Sequence, residues 1–199
     1  MSPILLRAFR RLRSLAWGAW LPVLPFALPS LLLPPLAGAW WQAQEPATFG
    51  HHKEALLTAF LVYIVVVRFA LLDLMLFYIS RKRRSVRLDL LHIVLLYLEV
   101  SAITLLYFAL LFHLFGVFEL FRYNGALPSP LAQDLTPHAF SVSLYISLEL
   151  FTTLGLGDWV PQTLNAMWAA GIETLLGFVQ GGVFFAVLIY GHQSLKAEP

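Results

Sequence analysis

Four long apolar runs, parted by short polar stretches, set the outline of the chain. They cover residues 15–41, 55–79, 89–118 and 165–190. Each is long enough to cross a bilayer core as an α-helix, which takes roughly 20 residues. The pattern therefore predicts four transmembrane helices. A fifth stretch, 137–152, reads as a helix opened by a Thr136 N-cap with Pro137 at the first helical position. It is too short to span and runs into a polar, glycine-punctuated segment, Thr152-Thr153-Leu154-Gly155-Leu156-Gly157-Asp158-Trp159-Val160-Pro161.

Charge is placed at the ends of these runs. Arg7, Arg10, Arg11 and Arg13 make residues 1–14 a basic amphipathic lead-in. Arg81, Lys82, Arg83, Arg84 and Arg87 lie between the second and third runs. Against them stand Lys53 and Arg122 on the opposite side, and this asymmetry places both basic clusters, and both termini, in the cytoplasm. The second cluster also suits anionic lipid head groups, although orientation alone accounts for it. The first run contains Pro22, Pro25, Pro29, Pro34 and Pro35, which predicts a kinked or broken helix. A competing reading takes the basic start and Ala37-Gly38-Ala39 as a secretory signal with its cleavage site. Residues 42–54 read as an external loop, where His51-His52 with Glu45 and Glu54 are either solvated or a metal or proton site. Arg68 and Asp73 fall inside the second run. Arg68 and Glu99 lie midway along adjacent spans, which predicts an ion pair between them. Residues 119–136, with Asn124-Gly125, Pro128 and Pro130 as turn formers, run outside the membrane.

Composition agrees. The 199 residues are 59% hydrophobic and 12% charged, where soluble domains carry about 25% charge. Mean hydropathy is +0.76. The net charge of +2 comes from the topogenic clusters and implies no nucleic-acid partner. The absence of cysteine excludes disulfides, thiolate metal sites and thiol catalysis. His92, His113, His138 and His192 show no metal-ligand spacing, and no serine sits in a nucleophile motif, so no enzyme, catalytic residue or cofactor is expected. His113 and His138 lie toward the outer side, where they either titrate functionally or are merely solvated.

The segment 153–158 carries the chemistry. A dehydrated cation in a membrane needs oxygen ligands, and backbone carbonyls supply them when consecutive carbonyls face one side. An ordinary strand alternates its carbonyls, so every second residue must leave the usual backbone region. Glycine reaches positive φ without steric cost, which accounts for Gly155 and Gly157 at alternate positions. Thr153 adds a hydroxyl. One chain supplies one wall, so a closed ring needs several copies. No third glycine and no βαβ pattern follow, so this is no dinucleotide fingerprint.

Thr153-Leu154-Gly155-Leu156-Gly157-Asp158 resembles the selectivity-filter signature of the potassium-channel family, usually Thr-Val-Gly-Tyr-Gly-Asp. The resemblance extends over residues 89–190. It implies an all-α membrane protein with four transmembrane helices, and a re-entrant pore helix and filter loop between the third and fourth. Four subunits would form a homotetramer around permeant potassium ions. Residues 1–87 would be the amphipathic segment and two peripheral helices. Residues 88–199 would be the pore domain, with outer helix 89–118, pore helix 137–152, filter 153–158 and inner helix 165–190. Thr153, Leu154, Gly155, Leu156 and Gly157 would bind the ion. Some bacterial members join a pore-helix glutamate and aromatic to the aspartate after the filter. Here those positions are Glu149, Tyr145 and Asp158; otherwise Glu149 points into extracellular water. Gly177 matches the family's gating hinge, or else permits close helix packing. Glu173 should face protein or a water-filled interior. The short tail after Tyr190 suggests no ligand-sensing domain. One departure is Leu156, where the family has Tyr or Phe. Leucine packs but cannot donate a hydrogen bond, although some two-pore-domain channels carry it in one pore loop. The alternatives are a weakly selective monovalent cation channel and a non-conducting membrane subunit.

Overall fold

The computed structural model describes residues 24–82, 90–126, 134 and 136–196. The basic segment 1–14, the start of the first run with Pro22, the cations Arg83, Arg84 and Arg87, and Pro128 and Pro130 lie outside the described residues. The protein is a mostly helical membrane protein. Among the described residues, three helical stretches are long and apolar enough to cross a membrane: Pro46–Asp73, Tyr97–Leu114 and Leu164–Ala186.

The first helix, α1, runs over Leu24–Gln44 and continues through Pro29, Pro34 and Pro35. The expected break is not there, and one carbonyl shows why. Pro34 has no N–H for the Ser30 carbonyl one turn before it. The Tyr63 hydroxyl of the next helix donates to that carbonyl at 2.8 Å. A neighbouring helix thus satisfies the group that proline frees.

The second helix, α2, runs over Pro46–Lys82, with Arg81 and Lys82 at its end. It corrects the expected loop at 42–54, which is helical on either side of Glu45. The Glu45 N–H reaches back to the Trp41 carbonyl at 2.8 Å, and the Phe49 N–H to the Glu45 carbonyl at 2.9 Å. Burial drives this: Phe49 is 3% exposed and stacks on Phe115, with ring centres 5.9 Å apart. The Lys53 ammonium pairs with the Glu119 carboxylate above the core. His51 and His52 are exposed and pack edge to face.

The third helix, α3 (Leu90–Leu114), forms the centre of the molecule. Its Tyr107, Phe108, Leu111 and Phe112 are almost fully buried. It packs against α1, α2, a half-length helix α5 (Ala139–Phe151) and the long last helix α6 (Leu164–Lys196). A single turn, α4 (Val117–Leu120), leads from α3 into a strand, β1 (Phe121–Tyr123). Strand β1 pairs antiparallel with β2 (Trp159–Pro161), with Phe121 opposite Pro161, Arg122 opposite Val160 and Tyr123 opposite Trp159. The mostly helical chain agrees with the all-α expectation, to which this pair of three-residue strands is a small local addition.

Arg68 is fully buried. The ion pair with Glu99 was the expected arrangement. The guanidinium donates to the Gln180 side chain of α6 and, at 3.5 Å, to the Val100 carbonyl beside Glu99.

Candidate functional site

Helix α5 has 13 residues, about 20 Å at 1.5 Å per residue, so it cannot cross a ~30 Å core. Its start differs from the expected threonine cap. Residues Thr136–His138 form a 3-10 turn, and Asp134 Oδ1 accepts the Thr136 N–H at 2.9 Å. That bond holds the Asp134 carboxyl below its ordinary pKa. The N-cap position of α5 is His138, which makes no side-chain cap hydrogen bond; the Asp134 bond closes the 3-10 turn that precedes the helix.

At its other end α5 unwinds tightly. The Thr153 N–H reaches the Leu150 carbonyl at 3.2 Å and the Leu154 N–H the Glu149 carbonyl at 3.1 Å. The chain then leaves as an irregular segment, 153–157, exposed along its whole length. Its backbone alternates. Thr153 has φ 57°, Gly155 φ 58° and Gly157 φ 72°, whereas Leu154 and Leu156 stay at negative φ. The two glycines occupy the left-handed region that the sequence reserves for them. Thr153 joins them at a cost of roughly 1–2 kcal/mol for a residue with a Cβ, a strain that sequence reading did not anticipate.

Three side chains converge on the far end of this segment. Glu149 Oε1 accepts the Gly157 N–H at 3.0 Å. The Tyr145 hydroxyl donates to Asp158 Oδ2 at 2.8 Å, and Asp158 Oδ1 accepts the Trp159 N–H at 2.9 Å. Burial pushes the Glu149 carboxyl above its ordinary value; the Gly157 N–H pulls it back, and the Asp158 charge adds to the rise. The hydrogen bond to Asp158 and, after it, burial push Tyr145 up to about 12. Burial and the nearby Asp158 charge thus both favour the proton-bearing form of Glu149.

No family model, curated protein or solved structure matches the chain.

Two further supports escaped the sequence reading. Asn124, read only as a turn former, donates its backbone N–H to the Asp158 carbonyl at 2.6 Å and its side-chain amide to the Gly157 carbonyl at 3.3 Å. Gln162 extends the clamp past β2, its N–H to the Leu120 carbonyl at 2.9 Å and its side chain to the Phe118 carbonyl at 2.8 Å. The available signal was Phe121 and Tyr123 on one side and Trp159 and Val160 on the other, aromatic and β-branched residues that favour strands.

Gly177 and Glu173 lie behind α5. A Cβ at Gly177 would collide with the Phe151 carbonyl group, so α6 approaches the end of α5 as closely as backbone allows. Glu173 is fully buried and joined to the Ser147 hydroxyl of α5, which also lies 2.9 Å from the Leu105 carbonyl of α3. Glu173 thus faces protein. His113 packs edge to face against Phe140, 5.8 Å between ring centres, and His138 is exposed. Among the described residues no three His, Asp or Glu side chains gather to hold a metal.

Proposed function

We propose that the chain is one subunit of a homotetrameric potassium channel. Four copies bring segment 153–158 around a shared axis, and potassium crosses passively between them. The observation that carries this reading is the alternating sign of φ at 153, 155 and 157. A backbone that alternates in this way can turn successive carbonyls to one side, and rings of such carbonyls replace the hydration shell of a monovalent cation.

Membrane physics supports the need for other copies. Irregular backbone at membrane depth is tolerated only where protein covers it or where it lines a water-filled space. Here Leu154 and Leu156 are 63% and 64% exposed on such backbone in one chain, so neighbouring subunits must cover them. Helix α5 enters from the outer side, and its C-terminal end directs partial negative charge toward the axis. The ligands are the carbonyls of Thr153, Leu154, Gly155 and Leu156 with the Thr153 hydroxyl. Gly157 sits at the outer rim, where Asn124 engages its carbonyl. The first run is the fourth span, both termini are cytoplasmic, and Arg81, Lys82, Arg83, Arg84 and Arg87 meet anionic lipid.

Purified protein in liposomes should take up rubidium in a barium-sensitive way. Absence of uptake would favour a non-conducting membrane subunit instead. A second reading, a weakly selective cation channel, draws on Leu156: exposed and without a hydrogen-bond donor, it braces the segment less than a tyrosine would. Equal potassium and sodium permeability would select that reading.

A further inference from the structure

Glu173 is fully buried within the apolar stretch Leu164–Ala186 of α6. Among the described residues it forms no ion pair, and its hydrogen bond is with the Ser147 hydroxyl of α5. Its second oxygen, Oε2, has no partner. The charged and titratable groups of the helices packed around it are engaged elsewhere. Glu149 of α5 holds the Gly157 N–H, and Tyr145 donates to Asp158. Arg68 of α2 donates to Gln180, further along α6 by roughly 10 Å at 1.5 Å per residue. Glu99 of α3 stands next to Val100, whose carbonyl Arg68 also reaches. Tyr97 of α3 stacks on Phe184, Tyr107 donates to the Phe60 carbonyl, and His113 packs on Phe140.

A hydroxyl carries one hydrogen. Ser147 Oγ has two oxygen neighbours, Glu173 Oε1 and, at 2.9 Å, the Leu105 carbonyl of α3. Were Glu173 ionised, both neighbours would be acceptors and one would go without. The carboxylate would also sit out of water with one hydrogen bond and no cation, a costly arrangement. A neutral acid removes both faults. Its Oε1–H donates to Ser147 Oγ, Ser147 donates onward to the Leu105 carbonyl, and Oε2 is left as an uncharged acceptor. We propose that Glu173 is a resident proton-binding site, the neutral acid that ties α6 through Ser147 of α5 to α3. One turn along, Gly177 of α6 lies against Phe151 of α5. The contacts 173 to 147 and 177 to 151 keep the same step of four, so the two helices are held in one parallel register. The bound proton thereby sets how firmly α5, which launches segment 153–158, is seated. A carboxyl deep in a membrane span marks a functional position, and here its ligand is a proton. The site does not rest on the channel reading.

Infrared spectroscopy of the full chain in liposomes, isotope-labelled at its glutamate carboxyl carbons, reads the proton without a current. A neutral acid and a carboxylate absorb separately. At neutral pH Glu173→Gln should remove a neutral-acid band, and Glu149→Gln should leave that band in place. Ser147→Ala keeps the acid, takes away its acceptor and should move the same band to the higher frequency of a free acid. Loss of intensity from the carboxylate region alone in Glu173→Gln, or a band that Ser147→Ala does not move, would overturn the site. Thermal unfolding in detergent tests the tie. Glutamine can donate to Ser147 as the neutral acid does, so Glu173→Gln should keep the midpoint of the parent protein, whereas Glu173→Ala should lower it by several degrees. A glutamine variant as unstable as the alanine variant would overturn the neutral acid as the donor. A protein that passes no rubidium yet keeps the Glu173 band loses the channel and keeps the proton site.

Discussion

At the residue scale, the candidate site is supported by a carboxyl group, Glu149, whose burial favours its proton-bearing form. Glu149 holds the Gly157 N–H from a buried position beside Asp158. Its pKa is raised above the unfolded value, so the proton-bearing form is the one the fold favours. That contribution is complete below the ordinary carboxylate range and is lost as pH rises through the raised value. Slow inactivation of the current should therefore speed up as external pH rises. Glu149→Gln keeps an acceptor and adds a donor toward Asp158, so it should keep slow inactivation and flatten its pH dependence. Glu149→Ala leaves the Gly157 N–H without its acceptor, a loss of about 0.5–1.5 kcal/mol for one hydrogen bond, and should hasten inactivation at every pH. An unaltered time course in the alanine variant would remove Glu149 from the support of the segment. Gly155→Ala places a Cβ at φ 58°, at about 1–2 kcal/mol per subunit, and should abolish conduction without loss of assembly, as size-exclusion and flux assays would show. The positions of Glu149, Tyr145 and Asp158 came from the potassium-channel resemblance, which could carry them because the cluster is local, within ten residues of one helix end. Asn124 could not: its partner Gly157 is 33 residues away in sequence, and nothing nearby marks it as more than a turn.

At the element scale, helices were legible where hydrophobic length decides them, and their junctions were not. The 42–54 stretch carries His51, His52, Lys53 and Glu54, and looked like loop. Its helix is held by Phe49 against Phe115 of α3, a tertiary contact that local polarity does not report. The strand pair β1–β2 has three residues on each side, too few for alternation to register. It fastens the exit of segment 153–158 to the end of α3. Val160→Pro should loosen that exit, shorten channel openings and leave the helical content measured by circular dichroism unchanged. Gly177 was equally consistent with bending and packing, and in the structure it is a packing position. Gly177→Ala should cost ~1–3 kcal/mol by overpacking against the Phe151 carbonyl, visible as a lower midpoint of thermal unfolding in detergent. A midpoint equal to that of the parent protein would mean that α5 and α6 are less tightly docked than the structure has them.

At the scale of the whole molecule, one chain is an incomplete object. It presents apolar side chains on α5 and α6, with Leu148 at 45% and Phe178 at 73% exposure, and leaves an irregular, glycine-rich backbone uncovered between them. Lipid can cover the helices but not that backbone, and this is the physical argument for the proposed assembly of copies. Cross-linking in native membranes should trap four subunits; a monomer would leave segment 153–158 without its other walls. The proposed conduction requires the same geometry, because carbonyl rings act on an ion only around a shared axis. Single-channel recording in planar bilayers, with potassium on one side and sodium on the other, tests this most directly. The account predicts a reversal potential displaced far toward that of potassium, and its loss with Gly155→Ala. A reversal potential at zero under these ionic conditions, or no current at all from assembled protein, would contradict it.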